Sequence, residues 1–136
     1  MTTGRKRDGQ VANVRGKERS DNMILFRPVG SAELKLIVES GYKAFPPRLP
    51  DQPIFYPVLN ERYAAEIAEK WNVRYNSEHK GYITRFEVDD EFCGKYQIQT
   101  VWKSYHQELW VPAEELEEFN SHIIGSIEVI KEYGEG

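Results

Sequence analysis

Apolar positions in the first half of the chain alternate between short continuous runs and stripes at helical spacing. Residues 23–27 (MILFR) are an apolar run that predicts a strand, which Pro28 and Gly30 should end. Apolar side chains then recur at helical spacing, so a helix is predicted from Ser31, its expected N-cap, to Gly41, its expected stop. The chain therefore opens with a strand followed by a helix.

A proline-rich segment separates this pair from a second strand and helix. Four of the seven prolines lie within residues 43–53, which predicts a stiff loop held by proline and not by hydrogen bonds. Residues 54–58 (IFYPV) predict a strand that is cut short by its proline. Asn60 is the expected N-cap of a second helix, whose apolar stripe extends to Trp71. The polar residues 72–81 predict a mobile connection.

In the second half of the chain, side chains at every second position are expected to share a face, which predicts a block of strands. The predicted strands span residues 81–88, 95–102, 107–112 and 123–133. Within these strands, the even-numbered side chains from Tyr96 to Trp102 should share one face, and Glu108 should share a side with Trp110. A short acidic helix is predicted over 113–119, and Gly125 should mark a bulge in the last strand. Strand, helix, strand, helix and then mostly strands is the pattern of an α+β fold.

Charge divides the chain into two parts. Residues 1–22 carry six basic and three acidic side chains, whereas residues 23–136 carry 12 basic and 19 acidic ones. We therefore expect a disordered basic arm over 1–22 and one domain over 23–136. The arm either contacts nucleic acid or an acidic partner, or is a solvated tail. The acidic body is a poor general binder of phosphate backbones.

Composition excludes several classes of protein. The 136 residues are 40% apolar, which suits a single domain with a core, and they contain no apolar run of the roughly 20 residues that span a membrane. No signal peptide is visible, so the expectation is a soluble cytoplasmic protein. Cys93 is the only cysteine, which excludes an internal disulfide and favours a half-exposed structural thiol. The three scattered histidines predict no metal site.

Three features suggest binding or catalysis, each with a plainer alternative. Arg27 at the end of the first strand is either a bidentate phosphate clamp or an exposed cation. Phe55 and Tyr56 either stack on a flat ligand or pack in the core. Glu108 lies in an apolar strand, where an acid is costly unless it is paired or used, or it lies on the exposed face of an edge strand.

Three segments carry a resemblance to a known family. They are LFRPVGSAELKLIVESG (25–41), PIFYPVLNERYAAEIAEKW (53–71), and HQELWVPAEELEEF with IIGSIEVI (106–119 and 123–130). The sequence resembles the ADP-ribosyltransferase superfamily, and especially the small bacterial proteins labelled ADP-ribosylation/crystallin J1. The resemblance covers residues 23–131. It implies two small antiparallel sheets around an NAD cleft, with helices on the flank.

The resemblance also implies roles for individual residues. Arg27 matches the first-strand arginine that orients NAD, and Phe55 or Tyr56 matches the aromatic residue that stacks on nicotinamide. Glu108 matches the catalytic glutamate, which stabilises positive charge on the ribose as nicotinamide leaves. The chemistry agrees, because a fixed carboxylate counters that charge as it develops. Arg48 and Arg62 are candidate phosphate contacts, with surface cations as the alternative.

The sequence departs from the family pattern at several places. The Ser-Thr-Ser segment of the arginine-modifying class is replaced by FYPV, and the first-strand histidine of the polymerase class is replaced by Arg27. The arginine-modifying class carries an acid two residues before the catalytic glutamate, and His106 stands there. His106 or Gln107 is therefore expected to position a different acceptor, which the sequence does not identify.

Three functions follow from these patterns. The first is an enzyme that uses NAD as a substrate and passes ADP-ribose to an acceptor. The second is a catalytically degenerate module that binds an ADP-ribose-like ligand or a protein partner, as the missing family motifs suggest. The third is an interaction protein whose acidic run AEELEEF binds a basic partner, for which a solvated helix is the alternative.

Overall fold

The computed structural model describes residues 22–72 and 80–134, which fold as an α+β domain, as predicted. The strands are β1 (Asn22–Val29), β2 (Ile54–Phe55), β3 (Lys80–Asp89), β4 (Ile98–Thr100), β5 (Gln107–Leu109), β6 (Val111–Pro112) and β7 (Ile123–Gly134). The helices are α1 (Ser31–Glu39), α2 (Glu61–Ile67), α3 (Asp90–Cys93) and α4 (Leu116–Ser121). A π-helical turn (Ala68–Asn72) continues α2, and a 3₁₀ turn (Ala113–Glu115) precedes α4. The predicted arm over 1–22 lies almost wholly outside the described residues, as does most of the predicted mobile connection.

The strands form small antiparallel sheets, as predicted. A three-stranded sheet has the order β1-β3-β7, and β2 pairs with β6 while β4 pairs with β5. Val58 links two of these units, because its backbone bridges Phe26 of β1 on one side and Glu108 of β5 on the other. The first sheet is thereby joined to the β5–β4 pair.

Aromatic side chains fill the centre of the main core. Phe45 lies with its ring centroid 5.1 Å from that of Phe55 and 4.8 Å from that of Phe86, and Phe119 lies 5.5 Å from Phe55. These tilted and edge-to-face arrangements are the geometry that aromatic pairs prefer. All four rings are buried. The core therefore ties the proline-rich loop, β2, β3 and α4 together.

One of the two predicted helix caps is confirmed and one is wrong. Asn60 caps α2, since its side-chain oxygen accepts a hydrogen bond from the Tyr63 N–H at 2.8 Å. Ser31 does not cap α1, because it already belongs to the first turn and extended Gly30 accepts the first helical bond from Leu34. The Ser31 hydroxyl is buried without a hydrogen-bond partner among the described residues.

Two predicted strands are shorter in the structure. Residues 95–102 form a strand only at Ile98–Thr100, because the chain then turns and the Val101 N–H donates to the carbonyl of His106. Trp102 consequently lies outside the strand with 86% of its surface exposed. The predicted strand over 54–58 is limited to its first two residues, followed by the single bridge at Val58.

Hydrogen bonds help to fix the proline-rich loop, so the prediction that proline alone holds it is wrong. The Asn120 side chain accepts from the Phe45 N–H at 2.9 Å and donates to the Phe45 carbonyl at 3.0 Å. The Arg48 Nε donates to the Ile54 carbonyl at 3.2 Å. Burying Phe45 requires such partners, because an unpaired backbone group in the core is costly.

The predicted bulge at Gly125 is confirmed. Gly125 has a φ of +74°, and the β3–β7 register shifts next to it.

The prediction that the Cys93 thiol is half-exposed is wrong, because Cys93 is buried. Burial, followed by the charge of Asp90, raises the pKa of the Cys93 thiol to about 12.

Within the described ranges, no helix has both the length and the apolar character needed to cross a bilayer.

Candidate active site

Backbone pairing around Val58 brings two distant parts of the chain together. Val58 and Phe26 exchange two hydrogen bonds of 2.8 Å, and on the other side the Leu109 N–H donates to the Pro57 carbonyl at 2.9 Å. Phe26 precedes Arg27, and Leu109 follows Glu108. The sheet thus places an arginine and a glutamate that are far apart in sequence around the same short segment.

A cleft of about 730 Å³ opens at this junction. Its walls include Arg27, Tyr56 and Glu108, three of the residues that the sequence singled out. The other lining residues are Pro28, Val58, Tyr63, Ile67, Val101, Trp102 and Trp110. Apolar and aromatic walls with a few polar groups, at a volume between about 300 and 1,000 Å³, are typical of small-molecule sites.

Glu108 is buried, with 8% of its surface exposed, and is held by two side-chain donors. The Tyr63 hydroxyl donates to one carboxylate oxygen at 2.9 Å, and the Trp110 Nε1 donates to the other at 2.7 Å. Burial and then the hydrogen bond to Glu108 raise the pKa of Tyr63 well above its usual value, so this hydroxyl keeps its proton and remains a donor. These two donors fix the orientation of the carboxylate, which could rotate freely without them.

Arg27 is also buried, with 9% of its surface exposed, and its guanidinium is paired. Nε and Nη2 donate to the two carboxylate oxygens of Glu33 at 2.7 and 3.1 Å. The guanidinium also lies over the ring of Phe55, 4.7 Å from the centroid. Of its five N–H groups, about three donate to no described residue, so Arg27 keeps donors for a ligand.

Arg48 adds a second guanidinium near Arg27, although it is absent from the described lining of the cleft. Burial and then the charge of Arg27 lower the pKa of Arg48. Among the groups that oppose this shift, Glu33 is the carboxylate, and it also pairs with Arg27, so two cations share it. The excess positive charge would attract an anion such as a phosphate.

The structure distinguishes the two candidate stacking residues. Phe55 is fully buried between the core rings and the Arg27 guanidinium, so its faces are already covered. Tyr56 is 41% exposed in the wall of the cleft, with its ring centroid 6.4 Å from that of Trp110. Tyr56 is therefore the residue of this pair that a ligand ring can reach.

The two predicted acceptor-positioning residues differ in placement. His106 lines a side pocket of about 200 Å³ that shares Tyr63, Ile67 and Trp102 with the cleft. Gln107 lines neither, and its backbone carbonyl accepts a hydrogen bond from the Leu59 N–H. Arg62 also lies outside the lining of both, with its guanidinium over the Tyr105 ring.

Sequence reasoning missed the groups that hold the candidate residues in place. In the sequence, Tyr63 is one position of the apolar stripe of the second helix and Glu33 an acid in the first turn of the first helix, which does not indicate these contacts. Trp110 was placed correctly on the same side as Glu108, which two-residue periodicity could have developed into a predicted contact. The contacts of Tyr63 and Glu33 depend on tertiary packing, for which the sequence carries no spacing signal.

No protein-family model matches this chain, and no curated protein is significantly similar to it.

Proposed function

We propose that the cleft binds NAD, cleaves the bond between nicotinamide and ribose, and transfers the ADP-ribosyl group to an acceptor. The observation that carries the proposal is the convergence of Arg27, Tyr56 and Glu108 on one cleft. These three residues come from separate segments and were assigned to NAD binding and cleavage by the family resemblance. Convergence of distant residues on one concave site is the geometry expected of an active site.

Glu108 is proposed to stabilise the reacting sugar. As the glycosidic bond breaks, its electron pair leaves with the nicotinamide nitrogen and positive charge develops on the ribose. A buried carboxylate held by Tyr63 and Trp110 can oppose this charge without reorienting. About two of the four lone-pair positions of the carboxylate remain for a ribose hydroxyl.

The remaining residues are proposed to bind the dinucleotide. Arg27, held in a fork by Glu33, would contact the pyrophosphate, and Arg48 would add to the positive potential. Tyr56 would stack on the nicotinamide ring. Binding that fixes both ends of NAD would direct the ribose to Glu108.

A binding module without turnover is the second candidate. The observation that favours it is the ion pair between Arg27 and Glu33, at 2.7 Å, because a neutralised arginine attracts a phosphate less strongly. Such a module would hold ADP-ribose or a related ligand in the same cleft without breaking a glycosidic bond.

Two measurements on the wild-type protein distinguish these functions. The enzyme releases nicotinamide from NAD, and release accelerates if lysate supplies an acceptor. The binding module releases none, but ADP-ribose at a hundredfold excess over its Kd stabilises the fold by about 2.7 kcal/mol. A protein that neither releases nicotinamide nor is stabilised by NAD or ADP-ribose would contradict both candidates.

A further inference from the structure

A side pocket next to the cleft contains a carboxylate that the proposed NAD chemistry does not use. The pocket has a volume of about 200 Å³ and is lined by Glu66, Lys70, His106 and Trp102, with Tyr63 and Ile67 between it and the cleft. At about 30 Å³ per water molecule, this is space for a small planar group and not for a second nucleotide.

Glu66, like Glu108, has a polar side-chain partner at each carboxylate oxygen. The Tyr105 hydroxyl donates to one of its oxygens, and the other oxygen lies 3.0 Å from the His106 Nε2. The Lys103 N–H donates to the His106 Nδ1 at 3.3 Å, which places the imidazole proton on Nε2, where it faces Glu66. These contacts lower the pKa of Glu66, so the group is a carboxylate at neutral pH.

The carboxylate keeps the capacity to accept from a ligand. Tyr105 and His106 occupy about two of its four lone-pair positions. The Arg62 Nε lies 3.8 Å from Oε2, beyond hydrogen-bond distance, and Arg62 stays 71% exposed. Lys70 lies one helical turn further along on the same pocket wall, and no ion pair joins it to Glu66 within the described ranges. The pocket therefore offers an acceptor pair and, beside it, an ammonium donor.

Trp102 adds an indole ring to the lining of the pocket. It is 86% exposed and lines both the side pocket and the cleft. An indole in that position is costly to leave in water, and it is suited to stack on a flat heteroaromatic ring.

We propose that this pocket binds a guanine base, which is the acceptor for the ADP-ribosyl group. Guanine has two adjacent N–H groups that fit one carboxylate and a neighbouring carbonyl oxygen that accepts from a lysine. Adenine and cytosine each place a ring-nitrogen lone pair beside their amino group, and uracil and thymine have one N–H between two carbonyls. Those lone pairs would face the Glu66 oxygens, so only guanine matches the pair formed by Glu66 and Lys70.

The assignment of guanine as acceptor rests on the proposed function, although its binding does not. In the transfer, a nitrogen of the base forms the new bond to the ribose carbon, and nicotinamide leaves with the electron pair of the old bond. The proton lost from that nitrogen passes to water. The shared walls of the pocket and the cleft, Tyr63, Ile67 and Trp102, keep the two reactants adjacent.

Binding of guanosine, inosine and adenosine to the full chain tests the proposal by calorimetry, with quenching of tryptophan fluorescence as a second readout. We expect guanosine to bind at least tenfold more tightly than adenosine. Inosine, which lacks the exocyclic amine, should bind about tenfold more weakly than guanosine, which corresponds to about 1.4 kcal/mol. If a guanine-containing single-stranded oligonucleotide competes with guanosine, the pocket also accepts guanine bases of nucleic acid. If it does not compete, the pocket accepts only free nucleosides.

Three variants assign the binding to this pocket. Glu66→Gln and Trp102→Ala should each weaken guanosine binding at least tenfold, and exposed Trp102 can be replaced without affecting the core. Glu69→Gln, at an exposed position of the same helical segment, is the matched control and should bind as wild type does. Equal affinity for guanosine and adenosine, or guanosine binding that survives both Glu66→Gln and Trp102→Ala, would overturn the proposal.

The two proposals fail separately. Nicotinamide release without Glu66-dependent guanosine binding would remove the guanine pocket and leave the NAD chemistry intact. The opposite result is a protein that releases no nicotinamide but binds guanosine in a way that depends on Glu66 and persists in Glu108→Gln. That result would support the guanine pocket and contradict the proposed enzymatic activity.

Discussion

At the scale of single residues, the central feature is a buried carboxylate that is oriented by its neighbours. Glu108 accepts one hydrogen bond at each oxygen, from a tyrosine on α2 and from Trp110, which lies between β5 and β6. The tyrosine ring in turn stacks on His106 at a centroid distance of 4.4 Å. Because the two donors come from α2 and from the link between β5 and β6, the position of the carboxylate depends on both.

Tyr63→Phe tests the role of this orientation. The change keeps the ring that stacks on His106 and removes only the hydroxyl that donates to Glu108. A hydrogen bond to a charged group contributes about 1.5–3 kcal/mol, so nicotinamide release should fall about 10- to 100-fold. Tyr42→Phe, a change of the same kind at a half-exposed residue outside the cleft, should release nicotinamide at the wild-type rate. Equal rates for Tyr63→Phe and wild type would show that the hydroxyl has no such role.

At the scale of elements, the long strand β7 depends on one glycine. Gly125 adopts a left-handed φ of +74° where β7 leaves and regains register with β3. Its carbonyl accepts from the Lys43 ammonium at 3.3 Å, which connects the bulge to the start of the proline-rich loop. The bulge therefore ties the edge of the sheet to the loop that leads to β2.

Gly125→Ala should reduce the free energy of unfolding by about 1–2 kcal/mol. A Cβ there would meet no heavy atom within 4 Å, so the cost comes from the left-handed backbone alone. Urea denaturation measures the change, with Ser126→Ala at the adjacent exposed position as the control. A Gly125→Ala protein as stable as the control would mean that the bulge relaxes without cost.

A second link between elements predicts a dependence on pH. The Tyr96 hydroxyl donates to Glu115 at 2.7 Å, and this bond, with Lys95, lowers the pKa of Glu115 below its ordinary value of 4.5. A group whose pKa is lowered by folding stabilises the fold above the unfolded pKa, and the stabilisation is lost as the pH falls through the folded value. The link therefore stabilises the 3₁₀ turn before α4 most strongly while Glu115 is ionised.

Tyr96→Phe should accordingly be less stable than wild type at neutral pH. The difference in the free energy of unfolding should shrink as the pH falls below 4.5, because Glu115 becomes protonated in both proteins. Denaturation curves at several pH values measure this difference. A difference that stayed constant across the range would assign the effect of the mutation to packing instead of to ionised Glu115.

At the scale of the whole molecule, the main strands and helices can be predicted from local sequence patterns. The contacts that join these elements cannot be predicted in this way. The alternation in residues 81–88 predicted β3 within about a residue, and Asn60 predicted the start of α2, because both signals are local. The bridge at Val58 carries no such signal, because it depends on two distant strands approaching the same residue.

The candidate site could also be predicted from the sequence only in part. Arg27, Tyr56 and Glu108 were predicted from the sequence, with the family resemblance assigning their roles, and they line one cleft. Two of the partners that hold them, Glu33 and Tyr63, could not be predicted, because both look like ordinary helical residues in the sequence. Their contacts with Arg27 and Glu108 form only through the tertiary packing of α1 and α2.

The central claim is that Glu108 in this cleft breaks the bond between nicotinamide and ribose. The most direct test compares nicotinamide release from NAD by wild type, by Glu108→Gln and by Glu117→Gln, an exposed control on α4. We expect Glu108→Gln to release nicotinamide at least about a hundredfold more slowly than wild type and the control, which should be equal. Release by Glu108→Gln at the wild-type rate would contradict the account.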